Sequence, residues 1–239
     1  MRKIFLTLFL IFSSPQKLFA TTHHADDHKQ IFHAFLLETD VGRDRNGDAR
    51  GWDLDGWVGK DFDRLWLKSE KKTYGKYEQK SEFQALYGRN ISQFWDAQIG
   101  LRHDFTTDFS SQKVDYLTLG FEGLAPYFFE SDAHIFLSEK GNFSARLKQK
   151  YDIFLTQKLI MQPYLEADFF AQNVPELNVS SGLSELEIGI TTRYEFKQKF
   201  APYFALRYNT KTSNTKKLSQ KEGDQISDFI TSIGVMLRF

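Results

Sequence analysis

The chain has 239 residues, with 31 Lys and Arg against 31 Asp and Glu, so its formal net charge is zero, and it contains no cysteine. A neutral chain without a basic field is a poor partner for nucleic acid, and a chain without cysteine can form neither a disulfide framework nor a thiolate metal site. Aromatic residues are abundant, with 24 Phe, 10 Tyr and 4 Trp. The aromatic girdles of a membrane barrel would use such a surplus, and a large soluble β-sandwich is the competing explanation.

The first twenty residues have the pattern of a secretory signal. Arg2 and Lys3 form a charged start, residues 4–12 are all apolar except for Thr7, and Leu18, Phe19 and Ala20 fit a cleavage site. This apolar run is about half the length that a membrane-spanning helix needs. We therefore predict three segments: a signal peptide over 1–20, a flexible arm over 21–30 and a β-barrel over 31–239.

Period-two alternation continues from there to the last residue. In residues 229–239 the apolar side chains of Phe229, Ile233 and Leu237 share one face, while Ser232 and Arg238 lie on the other. The stretches near 94–104, 126–138, 143–154 and 184–195 alternate in the same way, and each is about as long as a tilted bilayer span. An apolar outer face on strands of this length predicts a lipid-facing barrel wall, and an aromatic last residue resembles the terminal strand of bacterial outer-membrane barrels.

The pattern predicts an all-β, up-and-down antiparallel transmembrane β-barrel of about twelve strands. The strands are expected near 31–40, 51–59, 64–72, 82–89, 94–104, 115–122, 126–138, 143–154, 159–169, 184–195, 200–208 and 227–239. Long polar loops are expected near 41–50, 73–81, 105–114, 170–183 and 209–226, opposite short turns. Asn46-Gly47 is a turn signal, Pro163 predicts a bulge, and Phe128, Phe136, Tyr164 and Phe170 are expected to point inward and fill part of the lumen.

Several segments resemble the copper resistance protein B family. They are GWVGKDFDRLWLKSE at 56–70, GLAPYFFE at 123–130, LSEKG at 137–141, ARL at 145–147, YD at 151–152, LTQKLIMQP at 155–163, SGLS at 181–184 and FAPY at 200–203. The resemblance covers roughly residues 31 to 239 in the same order. It implies an outer-membrane barrel of a Gram-negative bacterium with a periplasmic amino terminus. It also implies a copper-resistance role, with membrane lipid, copper ions and periplasmic copper-handling proteins as partners.

The arm departs from that family in its ligands. Relatives carry a stretch rich in methionine and histidine before the barrel, whereas this arm has histidine and aspartate but no methionine. The candidate metal ligands at this end of the chain are His23, His24, Asp26, Asp27, His28 and His33. If cleavage follows Ala20, the new amine, two amide nitrogens and the imidazole of His23 make a square-planar set that suits Cu(II). A solvated linker that merely contains histidine is the competing interpretation.

Inside the barrel, one strand carries the best candidate for a second metal cluster. Glu130, Asp132 and His134 fall on the same inward face. Further inward carboxylates and bases are expected at Asp53, Asp55, Asp96, Arg102, Asp104, Glu166, Asp168, Glu185 and Glu187. The alternative is a network of ion pairs with Arg64, Lys68, Arg146, Lys148, Lys150 and Arg193, since opposite charges on neighbouring strands pair routinely.

Two other functions compete with copper binding or passage. A passive porin or purely structural barrel would need the strands alone. A lumenal hydrolase would need a nucleophile beside a base, but Ser138 and His134 are four residues apart on one strand face, about 13 Å at strand rise. No Gly-x-Ser-x-Gly motif is present either. We therefore expect no enzymatic activity.

Overall fold

The computed structural model describes residues 30–45, 47–74, 78–106, 112–212, 215 and 227–239. The predicted signal peptide and nearly all of the arm lie outside these residues. No helix in this part of the chain is long and apolar enough to cross a membrane.

The described residues form one antiparallel sheet. Its strands are β1 (Phe32–Arg43), β2 (Asp48–Gly59), β3 (Asp63–Tyr74), β4 (Glu78–Ser92), β5 (Trp95–Thr106), β6 (Gln112–Ala125), β7 (Phe129–Ser138), β8 (Phe143–Lys150), β9 (Ile153–Phe154), β10 (Leu159–Phe170), β11 (Gly182–Tyr194), β12 (Phe200–Lys211) and β13 (Ser227–Arg238). Consecutive strands pair with each other, except that β8 and β9 both pair with β10, and β13 pairs with β1. The sheet is therefore a closed up-and-down barrel, which confirms the predicted fold and excludes a sandwich.

The barrel has twelve wall positions because β8 and β9 both pair with β10. The break between them lies opposite Pro163, whose carbonyl accepts a hydrogen bond from Tyr151 N at 3.1 Å. Proline has no N–H to return that bond, so the ladder is interrupted on this side. The bulge predicted at Pro163 is wrong. The register shift in β10 lies between Asp168 and Phe169, and Pro163 itself pairs in register with Ile190.

Both described chain ends lie at one end of the barrel, which we call the terminal end. Short connections at 60–62, 93–94, 126–128, 155–158 and 195–199 lie there too. We call the opposite end of the barrel the loop end. Its loops are shorter than predicted, because the strands continue into the residues that were expected to form loops. Only four residues separate β1 from β2, and Gly47 N donates to Asp44 Oδ1 at 2.7 Å in that turn. The connection over 171–181 is long, as predicted, and contains a short 3-10 turn, Pro175–Leu177.

The predicted strand over 126–138 starts three residues late. Pro126–Phe128 is a 3-10 turn, in which Tyr127 and Phe128 have φ of 65° and 64°. Their side chains are 83% and 75% exposed, so the expectation that Phe128 points into the lumen is wrong. A proline at the start of this segment favours a turn, and that takes both aromatic residues out of the strand alternation.

The two faces of the wall differ as the alternation predicts. On β13, Ile230, Ser232 and Met236 are buried, whereas Phe229 and Ile233 are exposed. Exposed aromatic residues also gather at both ends. Near the terminal end they are Phe62, Phe94, Phe128, Phe154, Phe196 and Phe239, and near the loop end they are Trp52, Phe83, Phe143, Phe169, Tyr208 and Phe229. An apolar outer band between two belts of aromatic residues is typical of the surface of a membrane barrel.

Candidate functional site: the barrel lumen

A cavity of about 760 Å³ occupies the terminal half of the lumen. Its wall is strongly charged, with slightly more acidic than basic side chains. The lining carboxylates are Glu38, Asp53, Asp55, Glu70, Glu82, Asp96, Glu122, Glu130 and Asp132. The lining bases are Arg64, Lys68, Arg146, Lys148, Lys150, Lys199 and Arg238, and His33 and His134 also line the cavity. Every one of the twelve charged positions predicted to face inward lies on the inward side of its strand.

Lys68 is the centre of one group of these charges. Its Nζ lies 2.6 Å from Glu122 Oε2 and 2.6 Å from Asp132 Oδ2. Asp55 Oδ2 follows at 3.5 Å. The Lys68 side chain is only 10% exposed. One ammonium therefore serves three carboxylates, which leaves this part of the wall with an excess of negative charge.

His134 extends the group toward β5 and β6, and only 4% of it is exposed. Its Nδ1 contacts Asp132 Oδ1, and its Nε2 lies 2.8 Å from Gln98 Oε1. The Gln98 amide nitrogen donates to Glu122 Oε2 at 2.9 Å, which directs the amide oxygen at His134. Both ring nitrogens of His134 are therefore engaged by oxygen atoms of neighbouring side chains.

The predicted lumenal cluster is only partly brought together. Asp132 and His134 are in contact, and Asp132 also binds Lys68. Glu130 lies near the terminal end of β7, exposed, with Lys150 as its partner on β8. Among the described residues, no group of three or more His, Asp and Glu side chains is arranged to hold a metal ion.

The remaining predicted ligands are at the amino-terminal end. His33 is exposed near the start of β1, where it lines the mouth of the large cavity. His23, His24, Asp26, Asp27 and His28 lie outside the described residues, so their arrangement stays a prediction.

A second group of charges crosses the lumen from β8. Arg146 contacts Asp168 at 2.7 Å on β10 and Glu82 at 2.9 Å on β4. Lys148 lies 3.0 Å from Glu70 on β3. These contacts match the ion-pair network that the sequence left open as the alternative to metal binding.

An apolar cluster fills the lumen near the loop end, on the side of β6 and β7. Val114, Tyr116 and Phe136 pack together, and Leu177 from the long loop packs against them. The Arg102 guanidinium lies 4.4 Å from the ring centre of Phe136. Phe136 is 1% exposed, so its predicted inward position and its role in filling the lumen are confirmed.

Several residues of these networks were missed from the sequence. Glu70, Glu82, Gln98 and Glu122 were not singled out, although each takes an inward place in the alternation of its strand. A systematic reading of the period-two pattern would have found them. What the pattern does not contain is which charges meet, because the partners come from distant strands.

Among the described residues, no hydroxyl is hydrogen-bonded to His134. Both of its ring nitrogens are engaged with Asp132 and Gln98, whereas Ser138 Oγ accepts a hydrogen bond from Asn142 N at 3.0 Å. The Asp–His pair therefore belongs to the charge network and lacks the third member of a triad.

Comparison with known proteins identifies the family of the chain and solved structures with a similar fold. The family described as Copper resistance protein B precursor (CopB) matches residues 32–239, which includes every strand. The chain belongs to the copper resistance protein B family. This confirms the resemblance found in the sequence and supports a role in copper resistance.

Two curated members of the family are similar along most of the chain. Copper resistance protein B of Escherichia coli is 32% identical over 217 residues, which cover 90% of this chain and 72% of that protein. The Copper resistance protein B homolog of Pseudomonas syringae pv. tomato is 36% identical over 195 residues, which cover 81% of this chain and 65% of that protein. Both members are thus longer than the part of them that this chain matches.

Solved structures with a similar fold are porins. NanC porin superimposes with a TM-score of 0.58 at 12% identity, and covers 84% of this chain and 98% of its own. KdgM porin in complex with disordered oligogalacturonate gives a TM-score of 0.54 at 11% identity, and covers 85% of this chain and 99% of its own. At such low identity the likeness shows the fold alone.

Proposed function

We propose that this protein is an outer-membrane barrel that acts in copper resistance by binding copper ions, passing them through its lumen, or both. The observation that carries the proposal is the family match over the whole barrel. The two belts of exposed aromatic residues, one near each end of the barrel, and the apolar band between them support a location in the outer membrane. The amino terminus is then periplasmic, since the short connections lie at the terminal end.

The wall of the large cavity supports traffic of cations rather than anions. Nine carboxylates and seven Lys or Arg side chains line it. Charges of one sign in excess along a low-dielectric wall raise the local concentration of the opposite ion. A cavity at the periplasmic end with this wall would collect copper ions from the periplasm or receive them from periplasmic copper-handling proteins.

The arm supplies the proposed copper ligands. His23, His24 and His28 are imidazoles, Asp26 and Asp27 add carboxylates, and His33 lies where the arm joins the cavity mouth. Imidazole and amide nitrogen in tetragonal geometry suit Cu(II). The set lacks thioether sulfur, so we expect a preference for Cu(II) over Cu(I).

The test is copper titration of the purified, signal-cleaved protein by calorimetry, with the mature amino terminus read by mass spectrometry. We expect one tight Cu(II) site on a chain that begins at Thr21. Its affinity should fall about 100-fold or more in His23→Ala, because the tetragonal nitrogen set loses its imidazole. Zn(II), which does not share the square-planar preference, is the matched control ion.

Copper tolerance of a host lacking its own homologue gives the second readout. Cells carrying the full chain should tolerate more copper than cells carrying a variant without residues 21–30. Equal tolerance with both chains, together with equal Cu(II) binding by wild type and His23→Ala, would rule out the arm as the copper site.

A passive porin is the second candidate. It is favoured by the paired state of most lumenal charges, since Arg146, Lys148 and Lys68 all sit within ion pairs. Such a pore would be indifferent to loss of the arm histidines. The same truncation therefore separates the two functions.

A further inference from the structure

A second cavity of about 80 Å³ adjoins the large cavity closer to the loop end. The smaller cavity is lined by residues of β1, β2, β3, β8 and β10 to β12. Five side chains line both cavities: Glu38, Asp53, Glu70, Lys148 and Lys150. They stand where one cavity would open into the other.

Side chains of the described residues fill the opposite side of the lumen. On the side of β4 to β8, the cluster of Val114, Tyr116 and Phe136 fills the lumen under Leu177. Arg102 and Arg146 lie against Phe136 and bind Glu82 at 2.7 Å and 2.9 Å. Among the described residues, the two cavities together therefore follow β1 to β3 and meet at the five shared residues.

The charges of these residues are segregated. Glu38, Asp53 and Glu70 are direct cross-strand neighbours on β1, β2 and β3, so three carboxylates stand side by side on one wall. Lys148 and Lys150 lie on β8, and Lys148 reaches across the lumen to Glu70 at 3.0 Å. Within the described residues, neither Glu38 nor Asp53 has an ion pair within 4 Å.

Side-by-side carboxylates on adjoining strands repel each other and weaken a sheet. Glu70 is compensated by Lys148 and by Lys72 at 2.7 Å, but Glu38 and Asp53 have no comparable partner. In the described part of the chain, the base that faces them is Lys150 on β8, which lines both cavities without an ion pair to either carboxylate, so three carboxylates and two ammonium groups surround the place where the cavities meet. These charges act there on whatever passes.

We propose that the Glu70–Lys148 ion pair is the gate of this pore and that Glu38 and Asp53 form its cation-selecting wall. While the pair is closed it spans the constriction. When it opens, the carboxylates face a continuous aqueous path that admits small cations and excludes anions. This property concerns permeation of any small cation and holds whether or not copper is the cargo.

The test is single-channel recording of the full chain in planar lipid bilayers with KCl. In Lys148→Met, which keeps most of the side-chain volume, we expect a conductance about twofold higher or more, because the cross-lumen bridge is gone. The permeability ratio of K⁺ over Cl⁻ should rise as well. In the same background, Asp53→Asn with Glu38→Gln should bring that ratio back toward one.

Lys140→Met is the matched control. Lys140 pairs with Glu176 at 2.7 Å on the exposed loop-end rim, so this variant loses one ion pair of the same kind outside the constriction. Its conductance and selectivity should equal those of the wild type. If Lys148→Met behaves like Lys140→Met, the gate does not exist.

A second measurement does not depend on that variant folding. The chain has no cysteine, so Asp53→Cys introduces a single thiol. A positively charged methanethiosulfonate reagent should reduce its conductance, and wild type should not respond. An unchanged conductance after complete modification, verified by mass spectrometry, would place Asp53 outside the conducting path and overturn the proposal.

Discussion

At the scale of single residues, the lumen shows how one buried base organises several acids. Lys68 holds Glu122, Asp132 and Asp55 within 3.5 Å. Asp132 in turn receives a hydrogen bond from His134, and Glu122 receives one from Gln98. Removing the ammonium would leave three neighbouring carboxylates without their shared cation.

We predict that Lys68→Met destabilises the barrel by about 3 kcal/mol. This is the low end for breaking a buried pair, because the three carboxylate side chains are 22% to 37% exposed and water would partly compensate them. The measurement is urea unfolding of the protein in lipid vesicles. Lys140→Met, whose pair is half exposed, should change the free energy of unfolding by less than about 1 kcal/mol. Equal losses in both variants would contradict the central role of Lys68.

At the scale of strands, glycines opposite aromatic rings recur in the wall. Gly189 on β11 pairs directly with Tyr164 on β10, and Gly120 on β6 pairs with His134 on β7. A Cβ added at Gly189 would lie 2.3 Å from Tyr164 Cε1, so the ring covers the space of the missing side chain. This close approach lets the Tyr164 hydroxyl donate to Glu187 Oε1 at 2.6 Å.

We expect Gly189→Ala to cost about 1–3 kcal/mol of stability, because the ring must move away and loses its bond to Glu187. Unfolding of Gly189→Ala, Tyr164→Leu and the double variant forms a cycle that isolates the contact. The double variant should lose clearly less than the sum of the two single variants. Additive losses would show that the ring does not depend on the glycine.

Most of the strand content could be predicted from alternation, and the exceptions have local causes. All twelve wall positions were predicted, along with the inward side of the twelve charged positions named from the alternation, whereas inward Glu70, Glu82 and Glu122 were missed. Pro126 replaced the start of one strand by a turn, and Pro163 interrupted the ladder of its neighbour. The predicted loops were too long, because polar residues that were expected to form the loop between β1 and β2 belong to the ends of these strands.

At the scale of the whole molecule, the barrel closes where its two described ends meet. β13 pairs with β1 through eight residue pairs, and Phe239 continues the ladder beyond them. Phe35 N donates to Phe239 O at 2.8 Å, Phe239 N donates to Phe35 O at 3.0 Å, and their rings stack 5.9 Å apart. The last residue of the chain thus completes the seam.

We predict that Phe239→Ala lowers the amount of folded barrel in membranes and its stability by about 1–2 kcal/mol, since the stacked pair at the seam is lost. The fraction folded can be read from heat-modifiable mobility of membrane extracts. Phe239→Tyr keeps the ring and is the matched control. Normal assembly of the alanine variant would show that the backbone bonds alone close the seam.

The sequence by itself determined that about twelve strands form, which residues of a strand share a face, and the resemblance to the family, because a period of two assigns alternate side chains to opposite faces. Closure of the sheet then decided that the polar face lines a lumen. Only the tertiary structure decided which of the lumenal charges meet. Lys68 and Asp132 are 64 residues apart and Lys148 and Glu70 are 78 apart, and they face each other only because the sheet closes on itself. The division of the lumen into a wide and a narrow cavity has the same origin, because it depends on side chains that reach across the barrel from distant strands.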